Sequence, residues 1–182
     1  MHRRQFLGGS TLLLSGAPFV CACPFQSQPA PAGADLRDEM STSEIEAVGN
    51  SAMAKDLDNF FGKGFSCAES GLAVALRYLK KPGDLVWVAG AFGGGLNHRD
   101  LCGFLTAGEM AIGIYSGDQK LDRKAAKEIC TRKSQEFWQW WVSVAPIHCA
   151  EIREGRTDTD FRVCQRLGKL AAAKIEDLIR LA

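Results

Sequence analysis

The sequence predicts an all-α protein, a compact bundle of about five to six helices with cysteines converging on one site. Apolar residues recur at helical spacing, as Leu72, Leu76 and Leu79 do. The period-two alternation that marks strands is absent, and so are hairpin signals. Breakers such as Gly62-Lys63-Gly64 and Lys81-Pro82-Gly83 separate the segments. These three observations together favour a bundle of helices.

Start and stop signals give the bounds of each predicted helix. Ser43 and Glu46 stand at capping-box spacing and open the first. Asp84 caps the third, and Pro146 ends the fifth. The six predicted helices cover residues 45–61, 66–81, 85–92, 101–115, 123–144 and a last segment that begins at 158 or 159 and ends at 181.

The first 34 residues predict an export address. Arg3-Arg4-Gln5-Phe6-Leu7 resembles a twin-arginine signal, which is associated with export of already folded proteins, and a mildly apolar run to Val20 follows. An ordinary export signal that happens to hold two arginines is the alternative. Val20-Cys21-Ala22-Cys23 resembles a loose lipoprotein box with Cys23 acylated, whereas small residues up to Ala34 suit ordinary cleavage. Residues 35–43 read as a linker, and the predicted location is the periplasm.

Residues 44–182 are one domain by size, large enough to bury a core. The whole chain carries 22 basic and 21 acidic residues, for a net charge of +1. The charges are mixed and form no basic stripe, so nothing indicates nucleic-acid binding. No second long apolar run follows the signal, so the domain should be soluble.

Four of the seven cysteines, Cys67, Cys102, Cys149 and Cys164, fall one by one into separate helical segments or helix edges. None belongs to a Cys-x-x-Cys pair, so a thioredoxin-type dithiol and a zinc ribbon are excluded. A helical bundle can gather such distant thiols in its core, where they would suit an iron–sulfur cluster or a zinc ion. Cys130 lies outside this pattern and reads as a bystander. Five cysteines in the mature domain fit a simple disulfide framework poorly, although two disulfides and one free thiol remain open.

The glycine run Gly93-Gly94-Gly95 precedes Cys102 and is the predicted cofactor-binding segment. It could let backbone approach a cluster and donate N–H groups to sulfur, or it could be only a flexible loop. It is no phosphate loop, because no Gly-Lys-Ser/Thr follows.

The order Gly64-Phe65-Ser66-Cys67, the glycine run, Cys102-Gly103-Phe104-Leu105-Thr106-Ala107, Cys149 and Cys164 is similar to the C_GCAxxG_C_C family of redox-active proteins. The similarity covers about residues 44–179, and the same domain occurs in split-Soret cytochromes c. Phe104 and Ala107 depart from the family's Cys-Gly-Ala-x-x-Gly motif and are expected to alter close packing there. Without a Cys-x-x-Cys-His motif, no covalent haem c is expected.

The family resemblance and the four thiols together predict an exported electron-transfer protein with a periplasmic or membrane-bound redox partner. The expected cofactor is an iron–sulfur cluster of the [2Fe–2S] type on Cys67, Cys102, Cys149 and Cys164, although the same thiolates also serve [4Fe–4S]. A thiol–disulfide protein using the same cysteines and a structural zinc module remain alternatives.

Two further sets of residues have alternative interpretations. His98 and His148 stand near Cys102 and Cys149 and either ligate a cluster or serve only as a helix cap or solvent-facing side chain. The tryptophans of the fifth helix either pack in the core or, on an exposed face, mark a homodimer contact: Trp138, Trp140 and Trp141.

Overall fold

A computed structural model describes residues 36–180 and is all-α in that range. Its α-helices are α1 (Thr42–Gly49), α2 (Ala52–Asp56), α3 (Cys67–Tyr78), α4 (Gly103–Gly117), α5 (Arg123–Val144), α6 (Cys149–Ile152) and α7 (Arg162–Leu178). Leu57–Asn59 and Gly83–Ala89 are 3₁₀ segments, and Gly95–Arg99 is a π turn. The predicted fold class is confirmed, and the bounds predicted for α5 are those observed.

The predicted first helix is two helices, because Ser51 starts a new one. The Ser51 hydroxyl accepts the Ala54 N–H and donates to Glu176 of α7 at 2.6 Å. The same Glu176 oxygen accepts the Met53 N–H at 2.8 Å. A carboxylate from α7 thus satisfies an amide at the start of α2, a partner that local sequence signals do not reveal.

The predicted cap of the first helix was two residues too late. Ser41 is the N-cap of α1, and it exchanges bonds with Glu44 in a capping box. Glu44 also pairs with buried Arg166 of α7, which explains why this register is chosen. Part of the predicted linker, residues 35–43, is attached to the domain, because Arg156 binds Asp38 and donates to the Leu36 carbonyl.

The predicted last helix begins at Arg162 instead of residue 158 or 159. Asp160 accepts the Arg162 N–H and forms an ion pair with the Arg162 guanidinium at the start of α7. Residues 158–161 lie before the helix in turn or irregular structure. The third predicted helix is the 3₁₀ segment Gly83–Ala89, and α6 has no counterpart among the predicted helices.

The core lies where α4 packs against α3, α5 and α7. Phe104, Phe137, Trp141, Leu167 and Ile175 are all essentially inaccessible there. The Trp141 ring N–H donates to the Pro146 carbonyl at 3.0 Å, which fixes the end of α5 against the chain that leads to α6. Since Trp141 is buried, this tryptophan belongs to the core.

No helix within residues 36–180 is long and apolar enough to span a membrane. The predicted signal peptide, Cys21 and Cys23 lie outside the described residues.

Candidate functional site

Cys67 opens α3 beside the start of α4. Ser66 caps α3 in a capping box with Glu69, which fixes the backbone at Cys67. The half-buried Cys67 sulfur lies directly against the α-carbon of Gly103, so closely that a methyl group on Gly103 would overlap it. Gly103 follows Cys102, so the first two patterned cysteines lie on segments in contact.

Cys102 and Cys149 are held together by their backbones. The Cys102 N–H donates to the Ile147 carbonyl at 2.8 Å, and the Cys149 N–H donates to the Asp100 carbonyl at 2.7 Å. This short antiparallel pairing places the start of α4 beside the start of α6. Both cysteines are buried. The chain segments of Cys67, Cys102 and Cys149 therefore form one contiguous region.

The glycine run packs on these cysteine-bearing segments. A methyl group on Gly93 would stand 2.5 Å from Ser66 Cβ, and one on Gly95 would stand 2.7 Å from Cys149 Cβ. Gly94, with φ of +61°, faces open space. Leu96 and Asn97 also have left-handed backbone angles, which are strained for leucine but are adopted more readily by asparagine. Two of the three predicted glycines thus allow close approach to the segments that carry Cys67 and Cys149.

Cys164 lies in the first turn of α7 beside a buried arginine. Arg153 is only 7% exposed, and its Nη1 is 4.0 Å from the Cys164 sulfur. Its Nη2 donates to the Thr157 carbonyl at 2.6 Å, and its guanidinium stacks 4.4 Å from the centre of the Phe161 ring. No carboxylate within residues 36–180 forms an ion pair with Arg153.

The electrostatics of the region keep three thiols protonated. Burial raises the pKa of Cys102 well above its usual range, with the nearby Cys67 as a second cause and the Phe104 and Leu105 amides opposing. Burial likewise raises the pKa of Cys149 and of Cys164, while the charge of Arg153 opposes the rise at both. Cys67 contributes to the raised pKa of all three, so it lies close enough to each of them for an electrostatic effect.

Across the described part of the chain, no three His, Cys, Asp or Glu side chains stand close enough as they are to hold a metal ion. The single four-thiol site therefore stays a prediction. Cys130 is partly buried on α5 against the main core.

Both His98 and His148 have solvent-accessible side chains in the structure. His148 Nδ1 is 2.8 Å from Asp100 Oδ1, and both side chains are substantially exposed. His98 is exposed on the π turn.

Sequence reasoning missed Arg153. It lies four residues after Cys149, which is helical spacing, but its charged neighbours make it look like part of a solvated surface. Its burial depends on Phe161 and α7, which are distant in sequence.

Two departures from the family motif are compensated by glycines on other helices. The Phe104 ring packs on Gly168, where a methyl group would stand 2.5 Å from Cζ of the ring. The Ala107 methyl faces Gly71, where an added methyl would stand 2.8 Å away. The bulk added at the start of α4 is therefore accommodated by α7 and α3, without displacing Gly103 from Cys67.

The fold and the site define a helical domain in which four of the five described cysteines lie at the starts of α3, α4, α6 and α7. The family model described as "Putative redox-active protein (C_GCAxxG_C_C)" matches residues 65–178, and the chain belongs to this family. The match gives the protein a redox role and spans α3 through α7. Comparisons with curated proteins and with solved structures give no match.

Proposed function

We propose that the protein is an exported electron-transfer protein that holds an iron–sulfur cluster through Cys67, Cys102, Cys149 and Cys164. The observation that carries the proposal is Arg153, a buried guanidinium with no carboxylate ion-pair partner among the described residues and with one nitrogen 4.0 Å from the Cys164 sulfur. A buried charge is normally paired with an opposite charge, whereas Arg153 has only the Thr157 carbonyl and the Phe161 ring as partners among the described residues besides the Cys164 sulfur. An anionic sulfur centre would supply the missing partner.

The residues present fit such a cluster. Four thiols on adjoining segments are the ligand number that these clusters use, and the cluster supplies one-electron redox chemistry when bound. Cys102, Cys149 and Cys164 are protonated in the protein alone, because burial raises their pKa. They would release protons on ligation, as metal-binding thiols do.

The chain around the thiols would shape the centre. Gly95 and Gly103 leave no side chain between the backbone and Cys149 or Cys67. Loop 93–99 would bring further amide N–H groups near the sulfurs, and such donors tune the potential of a cluster. Arg153 would stabilise the more negative, reduced form by its charge.

Two other uses of the same thiols are possible outcomes of the test. A thiol–disulfide protein needs an accessible thiolate of lowered pKa, whereas burial raises the pKa of Cys102, Cys149 and Cys164. A zinc site would use the same four ligands.

Export is proposed from the sequence alone, through the twin-arginine pattern at Arg3 and Arg4. The domain would then work in the periplasm, either free after cleavage or tethered through an acylated Cys23.

The test is a set of cysteine variants prepared under anaerobic conditions. Serine replacements at the four patterned positions should each lower iron and acid-labile sulfide, remove visible absorption and destabilise the domain. Cys130→Ser is the matched control and should keep the full complement. Stoichiometric zinc in a colourless protein would contradict the cluster, and so would iron that survives Cys164→Ser but not Cys130→Ser.

A further inference from the structure

An exposed apolar ridge lies on the 3₁₀ segment Gly83–Ala89. Trp87 is 77% exposed, Val88 55% and Leu85 37%, and Trp87 is the most exposed of the large apolar side chains described. Exposed tryptophan is uncommon in a protein surface that makes no contacts, and clustered apolar exposure marks interaction sites. We call Leu85, Trp87 and Val88 the Trp87 ridge.

The ridge is held rigidly from below. Ala89 is fully buried, and Val86 and Phe92 pack with it against Ala68 and Leu72 of α3. The 3₁₀ period places Val86 and Ala89 inside and the ridge residues outside. The exposure is therefore built into an ordered segment, so docking there would order few side chains.

The ridge lies beside the start of α3, where Cys67 is. A methyl group on Gly90 would stand 3.8 Å from Cε3 of the Trp87 ring and 3.8 Å from Glu69 Oε1. Glu69 in turn accepts the N–H of Ser66, the residue before Cys67, at 2.8 Å. Trp87 is thus connected to Cys67, a half-buried cysteine of the proposed centre, through Gly90, Glu69 and Ser66.

The size of the ridge indicates the kind of occupant. Its three side chains expose roughly 350 Å² of apolar surface, whereas a stable dimer buries about 800 Å² on each partner. Weak electron-transfer encounters have the smallest interfaces. Asp84 is the only charged residue of the segment, so the ridge offers no strong charge to steer a partner.

We propose that the Trp87 ridge is the docking surface for a redox protein whose own centre lies beneath an uncharged, apolar patch. This inference rests on the proposed electron-transfer function. Transient docking there would bring the partner close to Cys67 and would leave the far end of the bundle free. The weak interface suits a protein that must release its partner after each electron.

The test measures electron exchange with a methyl-terminated alkanethiol layer on a gold electrode, used as an apolar probe surface. Trp87→Ser should slow exchange at least about tenfold, the effect expected of a central apolar anchor. Leu121→Ser is the control. Leu121 is half-exposed and lies just beyond the C-terminus of α4, a helix about 22 Å long whose other end carries Cys102. Leu121→Trp adds a tryptophan at that remote end and should not speed exchange.

Reduction by dithionite in solution separates the two proposals, because a small reagent needs no docking. All variants should be reduced alike by dithionite. Absence of reduction in every protein would refute the electron-transfer function and the ridge with it. Equal electrode rates in wild type and Trp87→Ser would refute the ridge alone. A Trp87-dependent dimer in sedimentation velocity, or Trp87-dependent binding to phosphatidylcholine vesicles, would also overturn the proposal in favour of self-association or a lipid surface.

Discussion

Replacing Gly103 with alanine tests whether the contact between Cys67 and the start of α4 matters. In an ordinary helix this change stabilises by about 0.5–1 kcal/mol, because glycine has the greater backbone freedom to lose. At Gly103 the new methyl would overlap the Cys67 sulfur and stand 2.9 Å from the Ala68 nitrogen and 3.1 Å from the Phe92 carbonyl oxygen. These neighbours include backbone atoms, so the clash cannot be relieved by a side-chain rotation alone.

Overpacking of this kind costs about 1–3 kcal/mol, which exceeds the helix gain. We therefore expect Gly103→Ala to lower the free energy of unfolding in urea and to reduce iron binding. Gly113→Ala is the matched control on the same helix, because nothing lies within 4 Å of the added methyl. It should stabilise by about 0.5–1 kcal/mol and leave iron content unchanged.

Because the helix gain is common to both substitutions, the two variants should differ by the overpacking cost of about 1–3 kcal/mol, which urea titrations resolve. Equal or greater stability of Gly103→Ala relative to wild type would refute the argument that this glycine is required by the packing of Cys67.

Three further outcomes are expected. Burial tends to raise the pKa of Glu44, but hydrogen bonds from Arg166 and the Ser41 amide lower it from its usual 4.5 to about 2. Ionised Glu44 therefore stabilises the fold fully above pH 4.5, and this stabilisation is lost as the pH falls toward 2. Urea titrations should show the stability gap between wild type and Glu44→Gln narrowing over that range, and a constant gap would contradict the linkage. Arg153→Met should lower the reduction potential of the proposed centre and Arg153→Lys should lower it less; identical potentials would exclude an electrostatic role. Replacing Arg3 and Arg4 by lysines should leave the precursor in the cytoplasm, whereas unchanged periplasmic yield would show that an ordinary route suffices.

Local signals in the sequence determined the helix content and some boundaries. The bounds of α5 could be predicted because Pro146 and the polar residues before Arg123 act through the local backbone. Short-range hydrogen bonding and apolar periodicity need no knowledge of distant residues, so the fold class and the family motif were readable directly.

The predicted site residues were partly readable in the same way. The four cysteines and Gly93–Gly95 stand out by type and order, and the structure places two of the glycines against Ser66 and Cys149. The convergence of all four thiols on one cofactor stays a prediction, because ligation and packing of a cluster depend on atoms beyond this chain.

Only the tertiary structure decided which polar residues are buried and where the helices break. Glu176 of α7 supports the start of α2 by accepting from Ser51 and Met53, where the sequence predicted one continuous helix. Arg166 of α7 favours Ser41 as the cap of α1 by binding Glu44. Arg153 is buried although arginine is usually exposed, because it packs beside α7. Trp87 is exposed although tryptophan is usually buried, because its segment packs on α3 through other side chains. Such placements arise from contacts between residues far apart in sequence, and no local pattern encodes them.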